Sequence, residues 1–203
     1  MTQPTQPSIK TIAFLGASGG CGHATLVAAL SAGHRCLALC RDPSKLHPLH
    51  SSYPDTLILR PGNAHNIHDV MRILTHDERH LVDAVNFTIG NKPDLKAAAR
   101  GEQGDPNVCE KGMETLLAAL GVLRIEWGVQ GSPLLCVVST TGISDKRDIP
   151  LVFYPLYHFL LAVPHRHKRA MEGRIVAGRE RFVRVRPSLL WDGAGGGEGR
   201  GGL

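Results

Sequence analysis

The chain has 203 residues, 42% of them hydrophobic and 20% charged, with a formal net charge of +5. That is ordinary for a soluble globular protein and long enough for one domain with a real core. The basic residues are scattered, and the densest run, His165-Arg166-His167-Lys168-Arg169, is too short and isolated to argue for nucleic acid. No run reaches the roughly 20 apolar residues that a membrane span needs; the nearest, Ile149 to Val163, is broken by Pro150, Pro155 and His158.

Strands and helices alternate along the chain. Residues Thr11–Leu15 read as a first strand, and Gly20 to Ala32 as a helix with Leu26, Val27 and Leu30 on its apolar face. Gly33 closes that helix where a left-handed cap is wanted. Arg35–Cys40 is a second strand, followed by the turn-like Arg41-Asp42-Pro43-Ser44, and Thr56–Arg60 a third, ending at Pro61-Gly62-Asn63. Ile67–Leu74 reads as a helix, Ala84–Ile89 as strand four ending at Gly90, and Asn107–Leu120 as a long apolar-striped helix. Leu134–Ser139 is almost wholly apolar, the pattern of a strand buried on both faces. Phe182–Val185 is a sixth strand. Two segments break the rhythm. Asn91–Pro106 is a polar loop with a short helix at Leu95–Arg100, read as a surface insertion, and Gly193–Leu203 is a glycine-rich tail expected to be disordered.

The rhythm predicts an α/β fold: one Rossmann-like domain over residues 1–192, with a doubly wound parallel sheet and right-handed crossovers, followed by the tail at 193–203. Ligands of such sheets sit beyond the carboxyl ends of the strands. The most informative of those ends is Gly16-Ala17-Ser18-Gly19-Gly20-Cys21-Gly22, directly between the first strand and the first helix. Glycine there lets the backbone approach a pyrophosphate, and the first helical amides point at the anion. The spacing is GxxGxxG, and the strand–turn–helix context is what makes nucleotide binding the favoured reading over a plain structural turn. At the end of strand two an acidic residue suits the ribose 2′-hydroxyl of NAD, whereas an arginine suits a 2′-phosphate. Arg41 stands at that place with Asp42 one position late, so NADP(H) is expected in preference to NAD(H); the plainer alternative makes Arg41 a surface turn residue. A basic rim around an anionic cofactor and substrate also accounts for the charge balance.

Five cysteines, odd in number and without a CxxC pair, suit a reducing interior, and the polar stretch Met1–Ser8 lacks the apolar core of a signal peptide. A cytoplasmic location is expected. His165/His167 and His76/His80 have ligand-like spacings, the second pair as if on one helical face, but no carboxylate or cysteine completes either set, and no metal site is expected.

The series GASGGCG, CRDPSKL, NFTIG, VVSTTG and VRPSLLWDG resembles the atypical short-chain dehydrogenase/reductase group. Within it the likeness is to NAD(P)-binding NmrA-like proteins and to the biliverdin-IXβ reductase/flavin reductase type, over about residues 10–192. The resemblance implies that Gly16, Ala17, Ser18, Gly19, Gly20, Cys21 and Gly22 hold the pyrophosphate and that Arg41 meets the 2′-phosphate. It puts Asn63 near the adenine, where the family commonly has aspartate, and Thr88, Ile89 and Gly90 under the adenosine ribose. It puts Ser139, Thr140 and Thr141 beside the nicotinamide, with Pro187 and Ser188 over its far face.

Catalysis is where the sequence departs from the larger family. The usual Tyr-x-x-x-Lys pair is absent: four residues before Lys168 stands Pro164, and Tyr154 and Tyr157 are followed at the fourth position by His158 and Leu161. Either hydride passes to a flavin-, tetrapyrrole- or quinone-like acceptor with a proton from solvent, or the protein does not catalyse and senses the dinucleotide on behalf of a protein partner. Thr141 and Lys168 are the candidate polar groups near the nicotinamide, and Tyr154 or Tyr157 the candidates for the acceptor. Phe153–Phe159 holds four of the ten aromatic residues and suits either a stacking platform for a flat acceptor or packing on the sheet or on a second subunit. Lys168 and Glu172 are spaced for a helix-face ion pair. Family members continue past the RP motif with a further strand and helix, whereas here glycines follow; the substrate site is therefore expected to be shortened, open, or completed by a partner or a homodimer.

Overall fold

The structure, a computed structural model, describes residues 8–75, 77, 79–90, 107–139, 171–178 and 180–187. Six strands form one sheet: β1 (Thr11–Leu15), β2 (Arg35–Cys40), β3 (Leu57–Pro61), β4 (Ala84–Phe87), β5 (Leu134–Val138) and β6 (Phe182–Val185). Their order is β3-β2-β1-β4-β5-β6, and every pairing is parallel. The chain therefore winds outward from β1 to β3, crosses back, and winds outward again from β4 to β6. This is the doubly wound Rossmann-like sheet that the alternating pattern predicts.

Helix α1 (Gly20–Ser31) lies on one face and buries Gly22, Leu26, Ala29 and Leu30, residues four, seven and eight apart. Its end is set by Gly33 at φ 80°, with Gly33 N–H donating to Leu30 O and His34 N–H to Ala29 O. That pair of bonds is the Schellman closure expected from a glycine just past the cap. Phe14, Ala38 and Leu57 from the sheet and Leu46 complete this side of the core. On the other face α3 (Ile67–Leu74), α4 (Val108–Ile125) and helical residues 171–177 cover Leu15, Leu37, Leu39, Val85, Phe87, Leu135 and Val137. Leu116, Leu120 and Leu123 of α4 are fully buried there, and truncating any of them to alanine is expected to cost about 2–5 kcal/mol.

Several expectations need correction. The turn after β2 is a 3-10 turn (Pro43–Leu46) running into a short helix, α2 (His47–Ser52). Proline at the start of each supplies the helical φ without costing a bond, but neither has an apolar period that sequence reading can detect. α4 runs five residues past Leu120, through Gly121, because burial of Leu123 outweighs the roughly 1 kcal/mol propensity cost of the glycine. β4 stops at Phe87 rather than Ile89, since its partner β1 ends at the paired Leu15. β5 is not buried on both faces: Leu135 and Val137 are buried, while Leu134, Cys136 and Val138 are half-buried. Among the described residues no helix covers that second face over β5 and β6, where Val183 and Val185 are about half exposed. His80 is not helical either: α3 ends at Leu74, Thr75 bridges Leu81 in antiparallel fashion, and the His80 ring bonds Asp77 at 3.1 Å. The helical face expected for His76 and His80 is thus missing, with His76 itself outside the described residues. The segment 91–106, the aromatic stretch 153–159, His165, His167 and the glycine-rich tail also lie outside them.

No helix among the described residues is long and apolar enough to cross a membrane.

Candidate functional site

The strand order reverses between β1 and β4, and the glycine-rich turn leaves the carboxyl end of β1 at that point. Gly16 has φ 99° and Gly20 φ 53°, the left-handed region that glycine occupies without strain. Gly19 is extended (φ 177°, ψ 170°), a conformation open to any residue. What holds the turn shut is Thr88, just past β4. Its N–H donates to Leu15 O at 2.9 Å, and its hydroxyl lies 3.1 Å from both the Leu15 and Gly16 carbonyl oxygens. A Cβ on Gly16 would lie 2.8 Å from the Thr88 carbonyl carbon and hydroxyl, and one on Gly22 would overlap the Gly16 carbonyl and the Thr88 hydroxyl. Backbone thus lies on backbone where β1, α1 and β4 meet.

A Cβ on Gly20, by contrast, would meet none of the described residues within 4 Å. The turn is packed from beneath and open above. The first intrahelical bond runs from His23 N–H to Gly19 O, leaving the amides of Gly20, Cys21 and Gly22 without an intrahelical acceptor. No side chain caps this end and no acidic residue sits in its first turn. A helix start that is uncapped and has no acidic residue in its own first turn has the chemistry to accept an anionic group. Cys21 is half-buried within it.

At the end of β2 the structure separates Arg41 from Asp42. The Asp42 carboxylate is turned into its own chain, accepting from Ser44 N–H (3.1 Å) and Ser44 Oγ (2.6 Å) as the cap of the 3-10 turn. The Ser44 side-chain bond, then its backbone bond, with Lys45 and His47 adding to them, hold that carboxyl below its ordinary range against a small cost of burial. Arg41 is exposed and makes no hydrogen bond or ion pair with the described residues. At the end of β3, Asn63 N–H donates to Asp69 Oδ2 (2.8 Å), and the Asn63 side chain accepts from His65 N–H (3.1 Å). Asp69 is tied in turn to Arg72, which also donates to Pro61 O. Asp69 is an anchor for this loop that sequence reading missed, its only signal being a carboxylate in the first turn of α3.

A second cluster missed from sequence lies at the ends of β5 and β6. Glu172, only 6% exposed, receives Arg184 Nη1 (2.9 Å), Arg186 Nε (3.0 Å) and Arg186 Nη2. Burial pushes its carboxyl up, but the Arg186 hydrogen bonds and the charges of Arg186 and Arg184 outweigh it, and the net direction is down. Ser139, itself buried, donates its N–H to Val185 O. Arg184 and Arg186 alternate along the strand onto the face covered by helical residues 171–177, and that alternation was the available signal. Glu172 is thus paired with Arg184 and Arg186; Lys168, its expected helix-face partner, lies outside the described residues, as do Thr140, Thr141, Tyr154, Tyr157 and Ser188. Pro187 stands two residues past the end of β6, after Arg186. Among the described residues the strand ends bring Gly16–Gly22, Arg41, Asn63, Thr88–Gly90, Ser139 and Pro187 to one edge of the sheet.

No family model matches the sequence. A reductase, pytE, of Aspergillus terreus is 37% identical over 205 residues, covering 92% of this chain and 78% of that protein. An oxidase, pynE, of Aspergillus niger is 31% identical over 221 residues, covering 92% and 79%. A wide-type short-chain dehydrogenase/reductase from Veillonella parvula, solved in complex with NADP, superposes with a TM-score of 0.68 over 92% of this chain and 73% of its own, at 14% identity. With the strand order, the glycine turn at the switch point and relatives of this extent together, the chain belongs to the atypical short-chain dehydrogenase/reductase family.

Proposed function

We propose that this protein binds NADP(H) and is an NADPH-dependent reductase acting on an aromatic, flavin- or quinone-like acceptor without a Tyr-x-x-x-Lys acid. The observation that carries the reading is the turn itself: packed by Thr88 from below, open above Gly20, and ending at an uncapped helix start. Its amides, from Gly16 through Gly22, bind the diphosphate. Arg41 takes the 2′-phosphate, which is consistent with its lack of a partner among the described residues and with the Asp42 carboxylate being occupied by Ser44. Asn63 borders the adenine, Thr88, Ile89 and Gly90 lie under the ribose, and Ser139, Thr140, Pro187 and Ser188 flank the nicotinamide. The cofactor when bound supplies the hydride; the chain's work is to orient the acceptor and exclude water. Thr141 and Lys168 present polar groups beside the ring, and Tyr154 or Tyr157 meets the acceptor. The redox names of the two fungal relatives support this class of chemistry.

Calorimetric titration with NADPH and NADH tests the first half, and NADPH oxidation with riboflavin or menadione as acceptor tests the second. Selective NADPH binding with turnover is the expected outcome; binding of neither nucleotide overturns the reading. Binding without turnover on any acceptor favours a second reading, an NmrA-like NAD(P) sensor acting through a protein partner, which Pro164 standing where the family's tyrosine belongs already supports.

A further inference from the structure

Away from the glycine turn, α3, the end of α4 and the edge strand β3 enclose a groove of about 490 Å³. Its volume falls within the range of small-ligand sites, about 300–1,000 Å³. The floor is apolar: Met71 is 5% exposed and Leu123 fully buried. His68, Met71 and Arg72 lie three and four apart on α3 and so present one stripe to it. At one wall stands Trp127, whose indole is 64% exposed just beyond the last turn of α4. Arg60, one residue before the end of β3, contributes a guanidinium with no hydrogen bond or ion pair to the described residues. Arg72 is different, being already neutralised by Asp69 and donating to Pro61 O.

Among the described residues the groove thus offers one cation without a partner, a large aromatic face left in water, and an apolar base between them. An indole of this size is seldom left so open, and it stacks on flat rings. A guanidinium without a partner matches a carboxylate in two parallel bonds. We propose that this groove is a binding site for a flat aromatic carboxylate, its ring against Trp127 over Met71 and Leu123 and its carboxylate on Arg60. The groove is set apart from the dinucleotide cleft at its Trp127 end: α4 begins near the strand ends, where Cys109 Sγ lies 3.2 Å from Ile89 O, and its 18 residues span about 27 Å before Trp127. The groove's Arg60 end lies nearer, three residues before Asn63. The inference stands whether or not the protein proves to be a reductase.

The probe is 2-naphthoate, titrated into the full-length protein by calorimetry with and without saturating NADPH. Saturable one-to-one binding that NADPH leaves in place is expected, at least tenfold weaker for Arg60→Met and for Trp127→Ala, and at least tenfold weaker for the uncharged 2-naphthalenemethanol. Both side chains are exposed, so the variants are expected to keep the wild-type circular dichroism and melting temperature. No saturable binding, displacement by NADPH, or equal affinity in the folded Arg60→Met and Trp127→Ala proteins would each overturn the assignment. Should Trp127→Ala alter the fold, Trp127→Leu keeps the apolar bulk without the indole and must still weaken binding.

Discussion

The Thr88 hydroxyl lies 3.1 Å from the carbonyl oxygen of Gly16, joining two residues 72 positions apart in the chain. Through this contact the end of β4 holds the backbone that opens the glycine turn, and the same hydroxyl lies 3.1 Å from Leu15 O. Replacing Thr88 with valine keeps the shape and removes the donor. The expected cost is about 1 kcal/mol of stability, with a several-fold loss of NADPH affinity and little change in Thr88→Ser. Denaturant melts and nucleotide titrations of the two variants check this; equal behaviour of valine and serine would mean that the hydroxyl is idle.

The close approach at Gly22 makes a sharper demand. Its missing Cβ is replaced in space by the Gly16 carbonyl and the Thr88 hydroxyl, both held in place by backbone. Gly22→Ala should therefore displace the turn, lowering the melting temperature and reducing binding of NADPH and NADH alike by tenfold or more. Unchanged affinity for both nucleotides would place the dinucleotide elsewhere.

Arg41 is expected to discriminate between cofactors rather than to hold up the fold. It is exposed and makes no bonds with the described residues, so Arg41→Ala should leave the melting temperature unchanged. A charge-assisted pair with a 2′-phosphate contributes about 1.5–3 kcal/mol, so NADPH should weaken by roughly tenfold to a hundredfold and NADH by far less. Equal losses for the two would reduce Arg41 to a surface turn residue.

The Glu172 cluster predicts a pH dependence of stability. Its carboxyl is held below the ordinary glutamate value of about 4.3, so the cluster's contribution is complete above that value and is lost as pH falls through the lower folded value. Glu172→Gln should destabilise the protein at pH 7 by about 2–3 kcal/mol, because two arginines lose a charged partner. The variant's acid limb should be flatter than that of the wild type. Urea melts between pH 3 and pH 7 measure both, and parallel limbs would show that Glu172 titrates no differently in the folded and unfolded protein.

The cysteines should separate by environment. Burial pushes the Cys36 thiol up to about 12 and raises Cys40 and Cys136 as well. Cys21 lies half-buried in the open turn. Brief iodoacetamide treatment of the native protein, followed by peptide mass mapping, should label Cys21 and spare Cys36, and NADPH should slow the labelling of Cys21. Labelling of Cys21 at the same rate with and without NADPH would separate it from the nucleotide site.

Local chemistry was enough to predict most of the architecture. β1, β2, α3 and β6 carry their periods and turn signals within a few residues, and Gly33 marks the end of α1 because no other residue sits as easily at φ 80°. The glycine turn was legible for the same reason, as was the place of Arg41 directly after β2. Tertiary structure decided everything that depends on a distant partner, and some nearer pairings too. The sequence places Asp42 and Ser44 two residues apart, but only the folded backbone turns that carboxylate onto Ser44. Asp69 under Asn63, and Glu172 between Arg184 and Arg186, are contacts across elements, invisible to any periodicity along one strand or helix. β5 departs from its apolar pattern because such a run records only that burial is tolerated; whether a second layer of helix covers it is settled by how the whole chain winds. Sequence alone determined most of the backbone elements and the turn at the switch point, the 3-10 turn and α2 apart, since these rest on propensities of neighbouring residues. Only the fold decided which charged groups are already paired and which, like Arg41 and Arg60, stand open among the described residues, because charge pairing depends on distances in space that the order of residues does not contain.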